Sequence, residues 1–279
     1  MALSLIKGAL VILNAVGFVT KLIFNKEATK VSKIFPRKTG EVSDKVETDL
    51  TPAAATFAIW GVIYFFQASW ITYSVSLLFR PSAPDVLPVS FYLAYLCASV
   101  LNITWLLVWA RRKFAIASAI LVFLALSLAT CLFYAYSNLY LYISNFSGDQ
   151  DKINTDMWCQ RVLVQNGIMI YTAWVAIASC INFAIFLQTG LGVPRNKAGT
   201  IALTILLSIA TCWFFLENFL FRKHTKYTFS EYLVLIIGLR GVLKKQWTDG
   251  RGNQKFVLAI FIVSCLMLVA RFLIMFVSK

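Results

Sequence analysis

Four stretches of this 279-residue chain, 53–79, 115–136, 162–194 and 256–270, contain no charged side chain. About 20 apolar residues in a helix, rising 1.5 Å each, match the hydrocarbon thickness of a bilayer. A water-soluble core helix has no need of such runs. Composition agrees: 59% of residues are hydrophobic and 14% charged, against about 25% charged in an ordinary soluble domain. The expected fold is all-α, a polytopic transmembrane helix bundle.

Eight spans follow from the apolar pattern, roughly 3–24, 53–79, 88–110, 114–137, 162–189, 198–220, 228–243 and 256–278. The first is read as a retained helix, because no small-residue cleavage pattern follows it. The seventh is the weakest. It is short, Arg240 and Gly241 interrupt it, and a re-entrant or interfacial course stays open for it. The loops after odd-numbered spans hold fifteen Lys and Arg residues, and the opposite side holds eight. By the positive-inside bias the basic side is cytosolic, with loop 25–50 on it and the N-terminus extracytosolic. Asn145-Phe-Ser, in the stretch after the fourth span, is an N-glycosylation sequon on the side that this topology puts outside.

Several function classes lose support at once. The net charge of +14 would suggest nucleic acid in a soluble domain, but here it gathers in short loops between spans, so no nucleic-acid partner is expected. Five of six cysteines fall inside apolar runs, with Cys159 in a loop, and His224 is the single histidine. No metal-ligand or disulfide spacing emerges, so no metal and no cofactor is expected. The twelve acids sit in loops or at span ends, with Glu217 and Glu231 nearest the hydrocarbon. Ion-coupled carriers usually bury acids at mid-membrane, which argues against that class. Arg271, inside the last span, should meet Glu217, the acid at matching depth.

What the spans do bury is aromatic and amide. Trp60, Tyr64 and Gln67 recur at i, i+4, i+7 on the second span; Asn102, Trp105 and Trp109 at i, i+3, i+7 on the third; Trp174, Ala178 and Asn182 at i, i+4, i+8 on the fifth. Each set shares one helix face. Counting from the basic side, Trp60 lies about 11 Å deep, Trp105 about 8 Å, Asn102 about 12 Å, Asn182 about 10 Å and Trp174 about 22 Å. An apolar pocket with a few amides between helices is a common small-ligand site. The same stripes serve equally as packing surface with amide glue between helices.

Thr51-Pro52 followed by Thr56-Phe57-Ala58-Ile59-Trp60-Gly61-Val62-Ile63-Tyr64 resembles the second-helix signature of the TspO/translocator protein family of tryptophan-rich sensory proteins, especially its longer members. Leu101-Asn102 with Trp105 is similar to the family's third-helix motif, and Tyr171-Thr172-Ala173-Trp174 with Asn182 to its fifth. The resemblance covers roughly residues 1–190. It implies a five-helix core there, with two or three additional helices over 191–279. It also implies a pocket under the first basic-side loop for porphyrins, sterols or drug-like aromatics, with Trp60 and Trp174 at the family's pocket tryptophans. The chain departs from the family pattern at Pro52, single where the family has two prolines, at Ile170, where the family has proline, and in a longer 138–160 segment.

Two functions stand side by side. One is a receptor or carrier for a hydrophobic ligand held by Trp60, Tyr64, Gln67, Asn102, Trp105, Trp174 and Asn182. The other is an accessory subunit packed against another membrane protein. Partners expected are membrane lipids, a porphyrin or sterol ligand, and a homodimer or membrane-protein neighbour. No nucleophile–base pair is legible, so no catalysis is expected. A cysteine introduced at position 33 should resist an impermeant thiol reagent added to intact cells; labelling from outside would invert the topology. In a eukaryotic secretory host, Asn145→Gln should remove one glycan-sized mass on a gel.

Overall fold

A computed structural model describes residues 2–80, 83–146, 150–249 and 252–277, and among these every regular element is helical. Helix α1 spans Ala2–Glu27 and the short α2 Thr39–Lys45. A 3₁₀ turn, Ala54–Ala58, leads into α3, Ile59–Leu77. Then come α4 (Val89–Ala110), α5 (Phe114–Asn145) and α6 (Gln150–Cys159), the last continuing through a π-helical segment, Gln160–Asn166, into α7 (Gly167–Leu191). Helix α8 (Arg195–Phe215) also ends in a π segment, Leu216–Leu220, before α9 (Arg222–Thr225), α10 (Ser230–Asp249) and α11 (Gln254–Val277).

Seven helical runs are long and apolar enough to cross a membrane. Their outer faces leave large apolar side chains such as Phe65, Phe133 and Leu266 exposed, which suits contact with lipid. Residues on both sides of position 190 share one buried core, with Trp174 and Ile177 of α7 beside Leu206 of α8, Leu239 of α10 and Ile260 of α11. The segment 138–160, read above as a loop, is largely helical: α5 runs to Asn145 and α6 takes up Gln150–Cys159. Asn145 is exposed at the end of α5, whereas Ser147 of its sequon lies outside the described residues.

Local rules explain the helix ends. Gly192 takes φ +65°, a left-handed conformation open to glycine without steric cost. It ends α7, with Val193 N–H bonded to Leu187 O at 2.9 Å, and Pro194 then leads into α8, as expected of a residue that cannot continue a helix. In α2, Lys45 Nζ lies 2.7 Å from Glu41, the favourable i, i+4 arrangement. That hydrogen bond holds the exposed Glu41 carboxyl below its ordinary pKa.

The segment 28–53 closes one end of the bundle, the loop end. Phe35, fully buried, packs with Ala28, Leu106 and Ala110, and Val42 packs against Trp109, Phe114 and Ile185. Asp49 then ties this segment to the later helices. Its carboxylate lies 3.1 Å from Arg195 Nε and 2.8 Å from Asn253 Nδ2, and its carbonyl accepts from Gln246 Nε2. Glu47 pairs with Lys245 beside it.

At the far end α10 begins near Asn166, whose carbonyl accepts from Ser230 Oγ at 3.1 Å. Its other end reaches Asp49 through Gln246. Helix α10 therefore runs the full height of the bundle, 20 residues or about 30 Å. The seventh expected span is thus a helix as tall as its neighbours, though less apolar than the seven runs of spanning character. Arg240 on it is exposed and lies about 9 Å below Gln246, within reach of the loop end for a long side chain.

Close packing replaces the missing apolar character. Ala53 N–H bonds to Gly241 O at 3.0 Å, and a methyl group at Gly241 would overlap Thr56, while one at Gly238 would approach Ile177 to 2.9 Å. Overpacking a filled contact costs about 1–3 kcal/mol. Gly241→Ala is expected to destabilise the protein by that amount, read as a lower melting temperature in detergent, with Gly61→Ala, which meets open space, as the silent control.

Candidate functional site

A cavity of about 650 Å³ lies beneath the loop end. Helix α1 contributes Leu22, Asn25 and Lys26, the 3₁₀ turn contributes Phe57, the start of α3 Trp60 and Tyr64, α4 contributes Trp105 and Trp109, and α7 contributes Trp174, Ala178 and Asn182. The roof comes from Thr29, Thr39, Gly40, Ser43 and Asp44 of the 28–53 segment and its α2.

Four aromatic ring contacts hold the walls. Trp60 stacks on Tyr64 with ring centroids 5.6 Å apart and meets Trp174 edge-on at 6.3 Å. Phe57 approaches Trp174 edge-on at 5.9 Å. Across the cavity Trp105 stacks on Trp109 at 5.7 Å. Offset and edge-on contacts of this kind favour fixed ring positions. The amides fix the remaining wall: Asn182 Oδ1 accepts from Trp105 Nε1 at 3.3 Å while its Nδ2 donates to Ala178 O at 3.0 Å.

Of the seven residues expected to bind, the structure brings Trp60, Tyr64, Trp105, Trp174 and Asn182 to the cavity surface. Asn102 and Gln67 do not line it. Asn102 is buried behind Asn25, whose Nδ2 donates to Asn102 Oδ1 at 3.2 Å. Gln67 lies about 10 Å along α3 from Trp60, and there it serves another group: its Oε1 accepts from Lys21 Nζ and, at 2.5 Å, from Tyr95 OH. Trp109, on the stripe shared with Asn102 and Trp105, is buried under the roof, with Nε1 donating to Thr39 O at 3.2 Å.

Helix α1 is what the sequence pattern did not bring forward. Asn14, Lys21 and Asn25 fall at i, i+7 and i+11, one face by helical periodicity. All three bond inward, Asn14 to Tyr92 O at 3.0 Å, Lys21 to Tyr95 OH at 3.2 Å and Asn25 to Asn102. The polar stripe was visible in the first apolar run. Lys21 is fully buried, and its hydrogen bonds go to neutral oxygens, with the rings of Phe18, Tyr95 and Tyr171 within 5.4 Å.

A second polar group lies at the far end. Arg271 Nη2 is 3.4 Å from Glu217, the pair expected from depth. Arg271 Nε also donates to Thr228 O at 2.9 Å, Nη1 to Asn218 Oδ1 at 2.9 Å and Nη2 to Thr225 O. The π segment Leu216–Leu220 carries both Glu217 and Asn218, and both are buried, so the altered winding turns two successive polar side chains inward. Such π segments recur at functional sites.

The family model described as TSPO-like protein matches residues 11–277, which includes the helices after position 190. No curated protein and no solved structure matches the chain.

Proposed function

The chain belongs to the TSPO-like protein family, and from that premise we propose that it holds a hydrophobic small ligand, of porphyrin, sterol or lipid-like type, in the cavity beneath the loop end, as receptor or carrier. With seven apolar helices of spanning length, it is an integral multi-pass membrane protein. The observation that carries the proposal is the cavity. About 650 Å³ lies within the 300–1,000 Å³ typical of small-molecule sites, and its apolar aromatic walls carry only a few amides.

The mouth adds charge. Lys26 borders the cavity together with Asp44 and the Glu47-paired Lys245, so a flat apolar ligand with an acidic edge would find the Lys26 ammonium at the mouth and rings below. The basic bias of these loops supports a cytosolic loop end, from which such a ligand could be exchanged with soluble carriers. The reading is one of binding, without chemistry on the ligand. The accessory-subunit reading is less well supported, because a helix-packing surface would be filled, and these aromatics border free volume.

Quenching of intrinsic tryptophan fluorescence by protoporphyrin IX tests the proposal. Removing two large aromatic walls from a buried site costs on the order of 2 kcal/mol or more. Trp60→Ala with Trp174→Ala should therefore weaken binding by more than tenfold, while Trp247→Ala, at an exposed ring, should leave it unchanged. If the double variant binds as tightly as the parent, the packing-subunit reading takes the place of this one.

A further inference from the structure

A second cavity, of about 380 Å³, lies between α5, α7, α8 and α10. It shares no lining residue with the first. Its long sides are apolar, formed by Leu132, Met169, Ala173, Ala176, Leu206 and Leu235. From Met169 to Ala176 it extends about 10 Å along the helix axes. Phe133 and Ile209 at its edge are exposed on the lipid-facing surface, so the opening is lateral, toward the bilayer.

Its far-end pole is different. Glu231, Tyr136, Trp213 and His224 line it there, and each holds a buried polar atom that no group among the described residues bonds: both Glu231 oxygens, Tyr136 OH, Trp213 Nε1 and His224 Nδ1. Glu231 is 4% exposed. Glu217, a second buried carboxyl close enough to share a proton with it, and Trp213 lie beside it.

Charge decides what would complete this pole. Glu217 is served by Tyr232 OH at 2.5 Å and by Arg271 at 3.4 Å. The guanidinium spends its other donors on Thr228, Asn218 and Thr225. Two buried carboxyls therefore share one buried cation; Arg271 contacts Glu217, and Glu231 is the one of the two that lines the cavity. An anion would meet a like charge, and a neutral apolar molecule would leave two buried carboxyls with one cation, so that the pair has to keep a shared proton. An ammonium supplies both the missing charge and the missing donors.

We infer that this cavity is a second binding site, for a lipophilic amine that enters from the bilayer, sets its ammonium against Glu231 and lays its apolar body along α7 toward Ala176. The site is independent of the cavity beneath the loop end.

Isothermal titration of the full chain in nanodiscs of zwitterionic lipid tests it, with empty nanodiscs as blank and with N,N-dimethyloctylamine and octanol as paired probes. The parent should bind the amine at least tenfold more tightly than the alcohol. Glu231→Gln should abolish that preference at an unchanged melting temperature. Ala176→Phe, which fills the apolar end, should weaken both probes. Trp60→Ala with Trp174→Ala should leave the preference intact, which keeps the result separate from the porphyrin test. Equal binding of amine and alcohol by the parent, or a preference that survives Glu231→Gln, would overturn the assignment.

Discussion

Everything at the loop end converges on the carboxylate of Asp49. It is 1% exposed, and a buried carboxylate is tolerable only if its lone pairs are met by donors. Here the donors come from the first turn of α8 and the residue before α11, while the adjacent carbonyl takes the side chain of α10. The arrangement works in two directions. It holds the 28–53 segment down over the aromatic cavity, and it sets how far α10 slides along α7, which brings Gly241 against Thr56. The first five spanning helices and the last three are thus joined at the roof of the cavity as well as through their core. Taking away its donors would leave a buried carboxylate uncompensated, so roof and helix register would be lost together.

Helix α7 separates two interiors of opposite character. Trp174, Ala178 and Asn182 face the cavity under the loop, whereas Met169, Ala173 and Ala176 face the one beside α8. A helix with apolar residues on all sides has to be buried on all sides, and more of α7 is buried than of any other candidate span. The polar groups are then sorted by height. Amides and a lysine from α1, α3 and α4 occupy the middle and the loop end, and acids with one arginine occupy the far end. Each set is shielded from lipid by its own aromatics.

Much of this was legible from residue spacing, and the remainder failed for identifiable reasons. Runs without charge gave the spans, because hydrocarbon admits little else. Helical periodicity and similar depth brought Trp60, Trp105 and Asn182 together, and the family resemblance added Trp174, which counting along the helix had put deeper. Periodicity gives direction but not distance to a partner, so Gln67, on the same face as Trp60, was assigned to the cavity although Lys21 and Tyr95 claim it one layer away. Asn102 erred similarly, hidden behind an α1 amide. The stripe of Asn14, Lys21 and Asn25 was passed over because three polar residues scarcely disturb so apolar a run. Helix α10 looked doubtful because hydropathy weighs Arg240 and its neighbours without knowing which side faces out. The π segments have no signature in residue type, and they are what turn Glu217 and Asn218 to the same side.

The polarity of α10 bears on how the chain reaches its final arrangement during synthesis. Seven helical runs can partition into the bilayer on their own merits, but α10 carries Glu231 near its start and Arg240, Lys244 and Lys245 toward its end, and such ionisable residues make it the least apolar of the long helices after position 190. Its route in is then as a passenger, paired with α11 as a helical hairpin or received by the already assembled face of α7, the two helices it packs against most. Until that happens α11, amply hydrophobic, is free to insert in either direction. The least hydrophobic helix of the bundle thus decides the direction of the helix that follows it, and a translocation defect confined to α10 would yield a molecule with the right number of apolar segments and its last one upside down.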